Sequence, residues 1–225
     1  MTRALALLLL LMLFLAYVPA ADSPAGDLLT RLLKAQQTIT SVSGRFTQRN
    51  LRADDPEGTA SLHEATFALQ APDKYNLVYT KPGDDEWRLR YCSDGVVRKE
   101  VTQMFAGQEP DVVASPVKGD GGTGAGGVDI GRYISAFLRF DPVAVNKDFI
   151  VAIATAGEGY RLDLLPREAE LARQVQSISV DLDANFQTRG IRFDDPQGNR
   201  IVVNVTKAVY NDGIPPGTFT HADGK

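Results

Sequence analysis

Leu28, Leu29, Leu32, Leu33 and Ala35 recur at helical spacing, while Arg31, Lys34, Gln36 and Gln37 fall on the opposite, polar side. The pattern predicts an amphipathic helix over residues 28–39. Asp22-Ser23-Pro24, or Asp27 just before the leucines, offers the capping chemistry for its start. At Val42 the period drops to two. Val42, Gly44, Phe46 and Gln48 share one face, and Ser43, Arg45, Thr47 and Arg49 the other. A short helix therefore feeds directly into a strand, with Gly44 at the strand entry. Nearly everything downstream also reads as antiparallel strand, so this helix is the natural object for a curved sheet to close upon.

The alternation then repeats between turns. Asn50 to Gly58 is a polar turn, after which Ala65, Phe67 and Leu69 alternate with Glu64, Thr66, Ala68 and Gln70. Ala71-Pro72-Asp73 interrupts, and Tyr75, Leu77 and Tyr79 alternate with Lys74, Asn76, Val78 and Thr80. Beyond Lys81-Pro82-Gly83-Asp84, Trp87, Leu89 and Tyr91 alternate with Glu86, Arg88 and Arg90. Ser93-Asp94-Gly95 is a hairpin signal, and Val97, Lys99 and Val101 continue the sheet on its far side. Three successive strands thus load one face with aromatic and aliphatic groups and leave the other wet.

Between Phe105 and Asp129 the regular pattern breaks, and the glycine-rich run from Gly119 to Gly127 reads as a flexible insertion. A second helix follows, with Ile130, Ile134, Phe137 and Leu138 on one face and Arg132 and Arg139 opposite, ended by Asp141-Pro142. Strands resume over 149–155 and 160–165, and a charged excursion covers 166–174. Ile178, Val180 and Leu182 then alternate up to a turn at Asp183-Ala184-Asn185. Ile191 and Phe193 lead to Asp195-Pro196-Gln197-Gly198-Asn199, and Ile201, Val203 and Val205 make the last strand. The predicted fold is mainly β with some α: an unclosed antiparallel β-barrel, or half-barrel, capped by short helices.

The 225 residues make one globular domain plus an N-terminal segment. Arg3, an apolar run from Ala4 to Val18 and Pro19-Ala20-Ala21-Asp22 form the basic, hydrophobic and cleavage regions of an export signal over residues 1–21. Val18 and Ala20 stand at the −3 and −1 positions. The run is short for a bilayer span, which needs about 20 apolar residues. No cysteine stands at the cleavage point to be lipidated. The mature domain, residues 22–225, is expected to be soluble and exported.

A formal charge of −4, with lysines and arginines scattered among acids, argues against a nucleic-acid partner. Cys92 is the single cysteine and reads as an inert strand residue. The two histidines, His63 and His221, read as a surface strand position and a tail position; with one cysteine they make no zinc site. Gly122-x-Gly124-x-x-Gly127, with Asp148 downstream, matches a dinucleotide fingerprint in spelling, but no apolar strand precedes it. Asp181-x-Asp183-x-Asn185 opens like a calcium loop, yet Phe186 and Arg192 occupy the glycine and glutamate positions, so it reads as a hairpin turn. No serine lies in a nucleophile-elbow setting, and no carboxylate in an apolar one. The expectation is a protein that is no enzyme and uses no metal or cofactor.

What remains is the aromatic face, formed by Phe67, Tyr75, Tyr79, Trp87 and Tyr91, with few helices to fill it. The order of motifs then matters. The first helix precedes Phe46-Thr47-Gln48, then an aromatic strand ending at Pro72, then Tyr75-Asn76-Leu77-x-Tyr79-x-x-Pro82. Ser93-Asp94-Gly95 and Ile191-Arg192-Phe193-Asp194-Asp195-Pro196-Gln197-Gly198-Asn199 complete the series. Across the mature chain this resembles the LolA family of periplasmic outer-membrane lipoprotein carriers.

The resemblance implies an apolar cavity for acyl chains, lined by Phe46, Phe67, Leu69, Tyr75, Leu77, Tyr79, Trp87, Leu89 and Tyr91. It implies a lid built from Leu28, Leu29, Leu32, Leu33, Ile134, Phe137 and Leu138, with Ala71 at the lid contact. Carriers of this family have arginine immediately before the proline that is Pro72 here. The resemblance further implies a monomer in the periplasm of a Gram-negative bacterium, taking lipoproteins or lipids from an inner-membrane ABC transporter to an outer-membrane acceptor. The alternative is a lipid-sensing module of the same half-barrel, like the periplasmic regulators of anti-sigma factors.

Overall fold

Hydrophobic periodicity becomes architecture through strand pairing. A computed structural model describes residues 24–55, 62–105, 107–116, 130–138 and 142–220. The expected signal segment 1–21, the glycine-rich run 119–127 and His221 lie outside them.

In chain order the elements are α1 (Pro24–Gln37), β1 (Ser41–Leu51), β2 (Leu62–Gln70), β3 (Lys74–Lys81), β4 (Asp84–Asp94), β5 (Val97–Gln103) and β6 (Asp111–Pro116). Next come α2 (Ile130–Leu138), α3 (Pro142–Asp148), β7 (Phe149–Ala156) and β8 (Gly159–Pro166). The short α4 (Ala169–Ala172) precedes β9 (Ser177–Leu182), β10 (Thr188–Asp194) and β11 (Arg200–Tyr210). The strands form one antiparallel sheet in the order β6-β5-β4-β3-β2-β1-β11-β10-β9-β8-β7. Two meanders are therefore joined along a central seam where the first strand meets the last. The sheet is not closed, since β6 and β7 remain its two edges. A twisted sheet of this width must curl, which gives the half-barrel an inner and an outer face.

Three elements were not visible in the periodicity: β6, α3 and the short α4, which lies in the charged excursion over 166–174. β6 falls in the stretch where alternation fails: Val112 and Val113 both stay exposed, and the strand ends at Pro116, as an edge strand can. Pro142 ends one helix but also begins another, α3, because proline suits a first helical turn. Gly44 is not a strand entry but lies inside β1. A Cβ there would run into the Lys207 carbonyl of β11, beside the register shift between Arg45 and Phe46. The seam can close this tightly only over glycine.

The core lies on the inner face. Phe46, Leu77, Ile134, Phe137, Phe149, Leu162, Leu164, Ile178 and Val203 are essentially inaccessible there. Each such side chain contributes roughly 1.5–3 kcal/mol on leaving water.

Candidate functional site

Residues directly opposite in an antiparallel pair share a face, so the register lays the inner surface out in rows. One row runs Val205, Phe46, Ala65, Tyr79, Leu89 across β11, β1, β2, β3 and β4. The next runs Ala208, Gly44, Phe67, Leu77, Tyr91, and a third Tyr210, Val42, Leu69, Tyr75, Ser93. Phe46, Phe67, Leu69, Leu77 and Tyr79 are buried, and Tyr75, Leu89 and Tyr91 are partly buried against them. The Trp87 side chain lies outside the described residues.

The rings interlock. Phe46 lies 6.0 Å from Phe67 and 5.5 Å edge-on from Tyr79, and Tyr79 lies 6.0 Å edge-on from Tyr91. The apolar surface stops at β5, where Thr102 and Glu100 face Leu89 and Tyr91.

The other half of the inner face is filled by helices. Among the described residues their main contacts are with β7, β8 and β10, not with β1–β4. Leu32 is fully buried, with Leu28, Leu29 and Leu33 partly buried beside it; Ile134, Phe137 and Leu138 of α2 are buried. Phe137 packs at 6.2 Å on Phe149 and 6.0 Å on Phe193, and Tyr133 sits 5.5 Å from Phe149.

Two buried hydrogen bonds hold these helices to one hairpin. Gln36 Nε2 donates to the Phe186 carbonyl at 2.7 Å, and Thr188 Oγ1 donates to the Phe137 carbonyl at the end of α2, also at 2.7 Å. The Phe186 ring stacks on Tyr160 at 4.4 Å, and the Arg31 guanidinium lies 5.6 Å above it. Phe186 reaches this place from a left-handed backbone position in the β9–β10 turn. The Asp183 carboxylate accepts from the Asn185 and Gln187 amides and pairs with Arg189, so this loop is a hairpin turn with its acid occupied.

Ala71 lies in the β2–β3 turn, where its amide donates to the Thr40 carbonyl at 2.9 Å, next to the link between α1 and β1. Arg45 is exposed on the outer face, opposite Thr66 and Lys207. Gln36 was read from the sequence as a wet-side residue; it is instead 7 % exposed and serves as the tether of α1. Gln36 follows Leu29, Leu32 and Leu33 by seven, four and three residues, so helical spacing itself puts it on the apolar face, which was the available signal.

Polar groups also enter the inner face. Gln48 is 8 % exposed, between Val203 on β11 and His63 on β2. His63 is half-buried rather than fully exposed, because the period of two from Ala65 and Phe67 turns it inward. Burial, with the Lys81 charge adding to it, holds its imidazole below the ordinary histidine range. Burial, then neighbouring Tyr91, drives the Tyr79 phenol far above the ordinary range.

The outer face is an ion-pair lattice. Arg161 pairs with Asp181 at 2.8 Å, and Asp194 receives both Arg192 (3.1 Å) and Arg200 (2.6 Å). A shallow cavity of about 240 Å³ lies among them, above Gly190. Cys92 is buried with its thiol pushed up, chiefly by burial, as expected of an inert residue. Among the described residues no cluster of three or more His, Cys, Asp or Glu could hold a metal, and no helix is long and apolar enough to cross a membrane.

No family model matches the chain, and no curated protein does. Solved structures do. A protein described as an outer membrane lipoprotein-sorting domain, from Vibrio parahaemolyticus, overlaps 87% of this chain and 95% of its own at 9% identity, TM-score 0.45. A LolA superfamily protein from Nitrosomonas europaea overlaps 86% and 97% at 14% identity, TM-score 0.40. MucB overlaps 90% of this chain at 14% identity, TM-score 0.43, and the chain spans 63% of its length. The solved structures similar to this chain thus include members of the superfamily that its motifs resemble. At this level of identity and overlap they say nothing of cargo, and the architecture stands on the strand register itself.

Proposed function

We propose that the chain is a periplasmic carrier that shields acyl chains, of a lipoprotein or another lipid, against the inner face of its half-barrel. One observation supports this above the others. The inner face is mainly apolar from β4 to β7, but the described helices pack mainly on its β7–β10 side. The β1–β4 side is closed by aromatic rings resting on one another. An acyl chain can take the place of such ring contacts at little cost, because it offers the same apolar surface. Each CH₂ transferred from water contributes about 0.8 kcal/mol, so one long chain supplies ample affinity.

On this reading residues 1–21 direct export, residues 22–225 carry the cargo, and α1 and α2 form the lid. Cargo would be received at the inner membrane from a transporter and released to an acceptor at the outer one. The carrier works by burial and needs no bond-making step.

The test is direct. Native mass spectrometry of the mature protein from periplasmic extract should find bound lipid, and a fluorescent fatty-acyl probe should bind. Leu89→Glu, which places a charge at the rim of the aromatic rows, should weaken the probe at least tenfold. A folded protein that holds no lipid and takes up no probe would end the carrier reading. Capture of a membrane-anchored regulator by such a protein would favour the sensing module instead.

A further inference from the structure

Among the described residues the inner face carries a buried acceptor without a hydrogen-bond partner, on Gln48. Gln48 donates through Nε2 to Asn50 Oδ1 at 2.9 Å, but its Oε1 is buried and accepts no hydrogen bond. Apolar residues flank it on the inner face, and His63 of β2 stands opposite. Phe46 is 1 %, Ala65 4 % and Val203 0 % exposed, and Gln48 itself 8 %. An acceptor left unpaired in such a place costs stability with no structural return. A methionine or leucine would fill the same volume without that cost.

The position also matters. Gln48 lies one row from Phe46 and Tyr79, at the side of the aromatic cluster where the inner face turns polar through His63 and Asn50. A ligand lying along the aromatic rows would bring its more polar end to this place.

We propose that Gln48 is a specificity-determining residue of the inner face: its open carbonyl selects acyl cargo whose buried part carries a hydrogen-bond donor. The donor can be the N–H of an amide-linked chain or the hydroxyl of a hydroxylated chain. A simple ester has only acceptors and would leave Gln48 Oε1 unpaired. This inference rests on the carrier reading and narrows its cargo. The discrimination arises because a buried polar atom penalises the ligand that fails to satisfy it.

Three matched, uncharged probes test it on the mature protein by displacement of a fluorescent fatty-acyl reporter: N-methyl palmitamide, methyl 3-hydroxypalmitate and methyl palmitate. Wild type should bind the amide, the hydroxy ester or both roughly tenfold more tightly than the plain ester, the worth of one buried hydrogen bond. Which of the two gains identifies the source of the donor. Gln48→Met should erase the preference, so that the three probes bind alike, and the empty variant should melt no lower than wild type. Equal affinities in wild type, a preference for the ester, or a preference that survives Gln48→Met would each overturn the inference while leaving the carrier reading intact. A wild type that binds neither the reporter nor any of the three probes overturns both. The wild-type comparison needs no variant to fold.

Discussion

Single residues set the limits of this sheet. Gly44 allows β1 to approach the Lys207 carbonyl at the seam, and Gly159 does the same for β8 against the Leu182 carbonyl. Gly44→Ala must push the two central strands apart, and overpacking of this kind costs about 1–3 kcal/mol. Urea denaturation should show an unfolding free energy lower by that amount, with a lower midpoint and an unchanged slope. The buried tyrosines bear on alkaline stability. Burial pushes the Tyr210 phenol up to about 12, with Arg189 opposing and Asp183 adding, and Tyr79 rises further. Both are neutral in the fold where the unfolded chain ionises near pH 10. The stability they provide is therefore complete below about pH 10 and drains away as pH rises toward 12. Absorbance titration should show these two phenols ionising after the exposed tyrosines, with the loss of structure accompanying them.

At the scale of elements, α1 is the part most open to adjustment. Its apolar side rests on Leu32 and partly buried neighbours, and among the described residues one buried side-chain bond ties its C-terminal end to the β9–β10 turn. The arginine that the resemblance expects before Pro72 is replaced by Ala71, whose side chain can form no polar tether. Gln36 provides one from the helix side. Gln36→Leu should leave the Phe186 carbonyl without its donor, a cost of about 1–3 kcal/mol. Hydrogen exchange should show faster opening of amides in 28–37, while β9 and β10 keep their protection. Unchanged exchange in α1 would mean that Leu32 and the Arg31–Phe186 contact hold the helix by themselves.

For the whole molecule, the sheet joins residues far apart in sequence, since β1 and β11 form its central seam. Cargo that binds the folded half-barrel and not the unfolded chain must stabilise the whole cooperative unit. At a hundredfold excess over the dissociation constant the gain is about 2.7 kcal/mol. For a domain of this size that is roughly 5–11 °C in Tm. Thermal scans with and without a saturating acyl probe should show a shift of that order, and no shift would argue that the inner face takes up no ligand.

Alternation alone was enough to place Phe67, Leu69, Tyr75, Leu77, Tyr79, Leu89 and Tyr91 on one side of their strands, because side chains in a strand change face at every residue. Turn chemistry at Ser93-Asp94-Gly95 and Asp195–Asn199 marked where strands reverse, and α1 begins at Pro24, the earlier of its two candidate starts and four residues before the leucine pattern. The motif order resembled a half-barrel family before any pairing was known. Those are local signals, carried by neighbours in the chain. The β1–β11 seam, the close approach that requires Gly44 and the edge strand β6 depend on contacts between distant segments, which no local period records. The same holds for the site. Local periods put Gln36, His63 and Gln48 on apolar faces, but only their neighbours across the sheet and at the β9–β10 turn make them a tether, a shifted base and an open acceptor. Burial decided their roles, because a polar atom acquires a chemical purpose only where water has been removed from it.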